Sequence, residues 1–354
     1  MGSASVLQSA FRGSKGDSSG YSGSVALLTP LSFEEAKPLV RTFGLTLREL
    51  EPLAQGSVNS NFRLVTEEGV FFARIYEEQS VQGAAHEMQT ARELVALGVP
   101  TPAPLKPSGV AEPLIAAGKP FAVYPWIAGE SLCQQRVQAK HIAQIGRALA
   151  RLHLASPRLT RIPEGRFEPA DLERRATGIE QRLESQQTVL REAVHFIRQQ
   201  LARYTAVRPR SLPRGIIHGD LFRDNALWVG DELKAVIDFE SASLGTFAYD
   251  LMVCVHAWCY ANHFELDKVR ALLQGYCAER TPTPEEIGAL PSEGAIAALR
   301  FATTRISDFS LRTPEGEQPK RDYRRFLGRL ADLQAGALSP VLEQLQAGDL
   351  GAGS

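Results

Sequence analysis

Two acids and an amide stand at fixed spacing in the run IIHGDLFRDNALWVGDELKAVIDFE, Ile216 to Glu240. Asp220 follows His218 and Gly219, Asn225 comes five positions later, and Asp238 closes an apolar run that begins at Leu233. The apolar stretches on either side predict short strands, so these groups sit at rigid strand ends joined by a tight loop. Oxygen ligands held in that way suit a hard cation such as Mg²⁺ together with phosphate. Phosphoryl transfer asks a protein for charge neutralisation and alignment more than for covalent help. In that chemistry Asp220 orients and deprotonates an attacking hydroxyl, while Asn225 and Asp238 hold Mg²⁺ against a triphosphate. The plain alternative is a hairpin with solvated acids in its loops. One acid would favour it; three ordered groups favour phosphoryl transfer. His218 is read as bracing the loop, and Asp224 as a solvated loop acid.

HGDLFRDN, then VIDFE, then AYDL at Ala248 to Leu251, resembles the aminoglycoside phosphotransferase and choline kinase superfamily. Downstream, AYDLMVCVHAWCY, KVRALLQGYCAER, EIGALP and ALRFATTRISDF resemble the bacterial homoserine kinases of that superfamily, as does GSVNSNFRL near the start. The resemblance spans about residues 30 to 335. It implies an α+β, two-lobed, protein-kinase-like fold, with a small antiparallel-sheet N-lobe and a mainly helical C-lobe. It also implies ATP as co-substrate, Mg²⁺ as cofactor, and homoserine as acceptor in threonine biosynthesis. Asp250 would brace the catalytic loop by hydrogen bonds. Backbone atoms around Tyr124, Trp126 and Ile127 would hold the adenine, although these aromatics also suit a lobe core. Another amino alcohol, choline or an aminoglycoside remains open as acceptor, and a nucleotide-binding pseudokinase is the non-enzymatic alternative.

The elements that must position these groups follow in order. Ser32 and Glu35 form a capping-box start for a helix reaching Phe43, with Gly44 as its stop. Ser57, Asn59 and Ser60 lie in a turn whose short polar residues can meet phosphate. The hairpin that follows ends in FFARIYE, which puts Arg74 where kinases carry a phosphate-contacting Lys. Arg also neutralises phosphate, but with a planar fork instead of a point charge. Glu87, on a helix over about 82–97, is its natural partner; a solvated helix acid is the simpler reading. Prolines 100, 102 and 104 introduce another hairpin that leads to FAVYPWI. Helices are then expected near 170–184, 187–205, 247–260, 266–279, 293–312 and 321–346. The 247–260 segment is almost wholly apolar, so Trp258 is a core residue that can also line an acceptor pocket. Arg305 and Asp308 share a helix face; they suit either an ordinary ion pair or the carboxylate and ammonium of a zwitterionic acceptor. Glu240 is the other candidate for the ammonium.

The division expected is a tail over 1–30, a nucleotide-binding lobe over 31–127, a hinge at 128–130, a catalytic and acceptor-binding lobe over 131–346, and a flexible end over 347–354. The net charge of −1 among 354 residues gives no global pull towards nucleic acid. No apolar run approaches the roughly 18 residues needed to cross a bilayer, so no membrane partner is expected. The four cysteines lack structural-zinc spacing, which favours reduced thiols and a cytoplasmic location. Oligomeric state is not legible.

Overall fold

The computed structural model describes residues 29–53, 58–313, 317 and 319–350. Ser57, most of the 1–30 tail and the last four residues of the 347–354 end therefore lie outside the described residues. The chain groups into two compact units. The smaller holds the described part of Gly16–Glu130 together with Leu227–Glu240, and the larger holds Ser131–Ala226 and the described part from Ser241 onward.

The smaller unit opens with helix α1 (Phe33–Arg41), started by the expected Ser32–Glu35 capping box. Strands β1 (Leu47–Leu53), β2 (Ser60–Thr66), β3 (Gly69–Ile75), β4 (Leu114–Ala116) and β5 (Lys119–Pro125) form one antiparallel sheet in the order β1-β2-β3-β5-β4. Alternation sets its two faces. Phe62, Leu64, Ala73, Ile75, Phe121 and Val123 pack with Ala36 and Val40 on one side. Helix α2 (Val81–Ala96) closes the other side, where Ala84 and Met88 meet Ala122 and Tyr124. Full burial of each large apolar side chain contributes about 1.5–3 kcal/mol. The same register puts Arg74 opposite Asn61 on one neighbouring strand and Ala122 on the other. Leu227–Glu240 adds strand β8 (Glu232–Val236), which pairs with β7 (Ala226–Val229). Trp228 and Glu130 exchange backbone hydrogen bonds at 2.9 Å.

The larger unit is helical: α3 (Ala139–Ala155), α4 (Pro169–Glu180), α5 (Thr188–Val207), α6 (Phe247–Trp258), α7 (Leu266–Cys277), α8 (Pro284–Asp308), α9 (Arg324–Gln334) and α10 (Ser339–Ala347). Every residue of α6 is buried, as its composition demands. Helices α3 and α7 cross at glycine: a Cβ on Gly275 would stand 2.0 Å from Ala143 O. Helix α8 begins at the Thr283 cap, nine residues earlier than expected, with Pro284 in its first turn and Pro291 tolerated inside. The single helix expected over 321–346 is two, because Gly336 turns left-handed (φ 78°) between them. Strands β6 (Arg214–Ile217) and β9 (Ser243–Thr246) pair antiparallel, and the loop after β6 carries Asp220. No helix among the described residues is long and apolar enough to cross a membrane.

Candidate active site

In the larger unit, the loop after β6 is fixed by one buried acid. Asp250, in the first turn of α6, accepts the backbone N–H of His218 at 2.7 Å and that of Gly219 at 2.8 Å. His153 Nε2 lies 3.2 Å from the same carboxylate. Arg280 donates to Tyr276 Oη at 2.9 Å, so the Tyr276 hydroxyl is free to donate to His153 Nδ1, 2.7 Å away. The His153 proton therefore sits on Nε2 and points at Asp250. Burial pulls the His153 pKa down, which keeps the ring neutral. Burial alone would raise the Asp250 pKa, but the His153 hydrogen bond and nearby groups bring it below its usual value.

Gly219 takes a φ of 72°, and a Cβ there would meet Phe167 at 2.8 Å. That left-handed turn presents the half-exposed Asp220. Its Oδ1 accepts from Arg300 Nη1 at 3.1 Å, and its backbone N–H faces His218 Nδ1 at 3.3 Å. Asn225 Nδ2 donates to the Asp220 carbonyl at 2.8 Å, closing the loop on itself. Trp258 is fully buried and donates its indole N–H to Leu221 O at 2.8 Å. It thus supports the loop from beneath instead of facing an acceptor, because no part of it reaches solvent. Arg305 gives Nη1 to Asp322 O at 2.8 Å, while Asp308 accepts from its neighbour Ser307. No ion pair joins Arg305 to Asp308, although they share a helix. Asp224 is largely exposed and lies 4.0 Å from Arg321.

In the smaller unit, Arg74 is a hub. Its Nη1 stands 3.9 Å from Glu87, 3.8 Å from Asp238 and 3.8 Å from Glu240, and its Nε donates to Asn61 Oδ1 at 3.3 Å. Burial would lower the Arg74 pKa, but Asp238 and the other surrounding groups outweigh it and hold the charge firmly. Burial lifts the Glu87 carboxyl to about 7, against the opposing pull of Arg74 and with Glu240 and Asp238 adding to the rise. Gln79 donates to Glu87 at 2.7 Å. Asn59 donates to Glu240 and accepts the Glu77 N–H at 3.1 Å, so it ties the two segments of this unit together. Ser60 is buried; its hydroxyl donates to Glu77 and accepts the Thr29 N–H, which leaves it turned away from solvent. Tyr124 is buried with its hydroxyl 2.7 Å from that of Tyr76, whereas Trp126 and Ile127 are half-buried.

Asp238 has two unusual features. Its φ is 69°, rare for a residue with a side chain, and its buried Oδ1 has no hydrogen-bond partner. A buried carboxylate oxygen in a strained loop, 3.8 Å from Arg74 and without a hydrogen bond, fits a hard cation. Among the described residues no three His, Cys, Asp or Glu side chains form a ready-made metal cage. That suits Mg²⁺, which takes few protein carboxylates and completes its shell with phosphate and water.

Sequence reasoning missed Arg300, which lies 80 residues from Asp220, and the Asn61 contact to Arg74. Asn61 carried a readable signal, since hairpin register puts it opposite Arg74.

A loop acid with its own arginine, following an antiparallel sheet that carries an arginine–carboxylate hub, defines a kinase-like phosphotransferase. The profile of the phosphotransferase enzyme family matches residues 49–290, and the chain belongs to that family. It is an enzyme that transfers phosphate to an alcohol group. The homoserine kinase of Parvibaculum lavamentivorans is 32% identical over 321 residues, covering 90% of this chain and 98% of that protein. The homoserine kinase of Afipia carboxidovorans is 34% identical over 296 residues, covering 82% and 89%. Among solved structures, an amicoumacin kinase in complex with AMP-PNP and Ca²⁺ superposes with a TM-score of 0.62 at 17% identity, covering 89% of this chain and 94% of that one. A spectinomycin phosphotransferase superposes at 0.63 with 13% identity, covering 88% and 99%. These structures share the two-part, sheet-then-helices fold.

Proposed function

We propose that the enzyme transfers the γ-phosphate of ATP to the side-chain hydroxyl of homoserine, giving O-phosphohomoserine and ADP in the cytoplasm. The chemistry rests on one observation: a half-exposed Asp220 carboxylate, gripped by Arg300, in a loop that Asp250 and Asn225 hold rigid. The choice of acceptor rests on relatives named homoserine kinase along nearly the full chain. Structural neighbours acting on other acceptors support only the fold, at 13–17% identity. Four free cysteines support the cytoplasmic reading.

In this reading Asp220 accepts the hydroxyl proton as the acceptor oxygen bonds to Pγ and the bond from Pγ to the β,γ-bridging oxygen breaks. Arg300 holds the Asp220 carboxylate in one orientation. Asp238 and Asn225 would hold Mg²⁺, which when bound neutralises charge on the β and γ oxygens. Arg74, kept in place by Glu87, contacts nucleotide phosphate, and Asn59 and the backbone at Tyr124, Trp126 and Ile127 complete the nucleotide site. Arg305 supplies a cation for the acceptor carboxylate. Trp258, His218 and Asp250 are positioning residues.

The test is ADP release with Mg²⁺ and ATP across homoserine, serine, choline, ethanolamine and an aminoglycoside. Selective turnover of homoserine is expected, falling by about 10²–10⁴-fold in Asp220→Asn with the KM for ATP little changed. Preference for another acceptor would overturn the substrate, and undiminished turnover in Asp220→Asn would overturn the base.

A further inference from the structure

Helix α9 carries an arginine that forms no ion pair among the described residues. Arg329 is half-buried, and its Nε and Nη1 are shut off from solvent without a hydrogen-bond partner. No acid pairs with it among the described residues. Its guanidinium packs on two rings instead, 4.2 Å from the centroid of Phe326 and 4.7 Å from that of Tyr260. The Tyr260 hydroxyl donates to Asp332 at 2.8 Å, which occupies the one acid a helical turn away. Burial, with Arg305, Arg223 and Arg325 adding to it, pulls the Arg329 pKa down to about 9. Among the described residues no acid forms an ion pair with Arg329, and Arg305, Arg223 and Arg325 surround it with positive charge.

Arg305 leans on the same Phe326 ring at 4.5 Å. Two guanidinium groups on one ring lie within about 9 Å of each other, about one screening length of physiological salt. Holding like charges this close on a partly buried wall is costly unless an anion joins them. The cluster also has a fixed relation to the reacting group. Phe326 stacks on Phe301 at 4.8 Å, Arg300 lies 3.9 Å over Phe301, and Arg300 grips Asp220.

We propose that Arg329, together with Arg305 on the same Phe326 ring, is the seat for the carboxylate of the acceptor, and that this seat selects a hydroxy amino acid over a neutral amino alcohol. The inference rests on the functional reading above and deepens it. A carboxylate meets the part of the half-buried Arg329 guanidinium that reaches solvent by charge-assisted hydrogen bonds, and the ring contacts hold the fork in place. Binding by the carboxylate end leaves the hydroxyl end of the acceptor for Asp220.

The test compares L-homoserine with its carboxamide, which keeps the amine, the hydroxyl and the length but lacks the charge. The wild type should prefer the acid in kcat/KM. In Arg329→Met the KM for homoserine should rise about ten- to a hundredfold, that for the amide should stay within a few-fold, and the KM for ATP should not move. A purely structural role for Arg329 would lower both acceptors alike. An unchanged acid-to-amide ratio, or a rise confined to the KM for ATP, overturns the inference while the kinase reading stands. Absence of homoserine turnover in the wild type overturns both. Arg329→Lys covers the case in which the Met variant does not fold. It keeps a charge but loses the planar fork, so the ratio should fall several-fold. A ratio equal to that of the wild type would again overturn the inference.

Discussion

Replacing Asp250 by Asn changes a single atom, and the structure predicts a large effect. The carboxylate accepts from His218 N–H, Gly219 N–H and His153 Nε2–H, and it is fully buried. An amide has one acceptor oxygen. If that oxygen keeps the side facing His218 and His153, the NH₂ is driven against the Gly219 N–H, 2.8 Å away from the present oxygen. One backbone donor is orphaned at a cost of about 1–3 kcal/mol, and the two surviving bonds lose charge assistance, about 0.5–1.5 kcal/mol each. The sum, about 2–6 kcal/mol, is a large share of the 5–15 kcal/mol typical of a folded protein. Turnover should fall further, because Gly219 directly precedes Asp220 and a misplacement of about 1 Å at a reacting group costs on the order of 10²-fold. Urea unfolding followed by fluorescence gives the stability change, and ADP release at saturating substrates gives kcat. The pH profile supplies a sign. Because the folded-state pKa of Asp250 is lowered, its contribution is present above the unfolded value and is lost as pH falls through the folded one. The gap between wild type and variant should therefore narrow in acid. A stability loss below about 1 kcal/mol with kcat unchanged would refute the view that Asp250 shapes the loop.

Two further perturbations follow from the same geometry. Gly219→Ala places a Cβ 2.8 Å from Phe167 and 3.2 Å from Ser241 O at a left-handed φ, so denaturation should show a loss of about 1–3 kcal/mol together with reduced kcat. Glu87, lifted to about 7, stabilises the nucleotide-free protein fully below its unfolded value near 4.5, and that contribution fades as pH rises through about 7. Melting temperatures of the wild type should fall relative to those of Glu87→Gln across that window, and parallel curves would rule out the assignment.

The catalytic loop is legible in sequence because its parts are local: Asp220 and Asn225 share one turn, and apolar runs mark the strands on either side. The capping box at Ser32 and the all-apolar α6 are legible for the same reason. What escapes is set by distant packing. Arg300 reaches Asp220 only because α8 runs past the β6 loop, and nothing near residue 300 announces an acid partner 80 positions away. Glu240 reads as a partner for the ammonium of an acceptor, yet it is engaged by Asn59 and Arg74 once the 227–240 segment packs into the smaller unit. Trp258 reads as a core residue that can also line a pocket; only the core reading survives, because sequence gives ring type and not depth. The early start of α8 was readable, since Thr283, Pro284 and Glu286 form a complete N-terminal signal.

The path of the chain through the smaller unit bears on how such enzymes can be recombined. Asp238 and Glu240 arrive on a short excursion, Leu227–Glu240, flanked on both sides by residues of the larger unit. A graft that exchanged only the first 130 residues with those of a relative would import a foreign Arg74 and Glu87 while keeping the resident Asp238 and Glu240. The charge balance of the hub would then be split between two lineages. Nucleotide-site transplants should therefore succeed only as paired exchanges, and substitutions at position 74 should be tolerated best when the excursion changes with them.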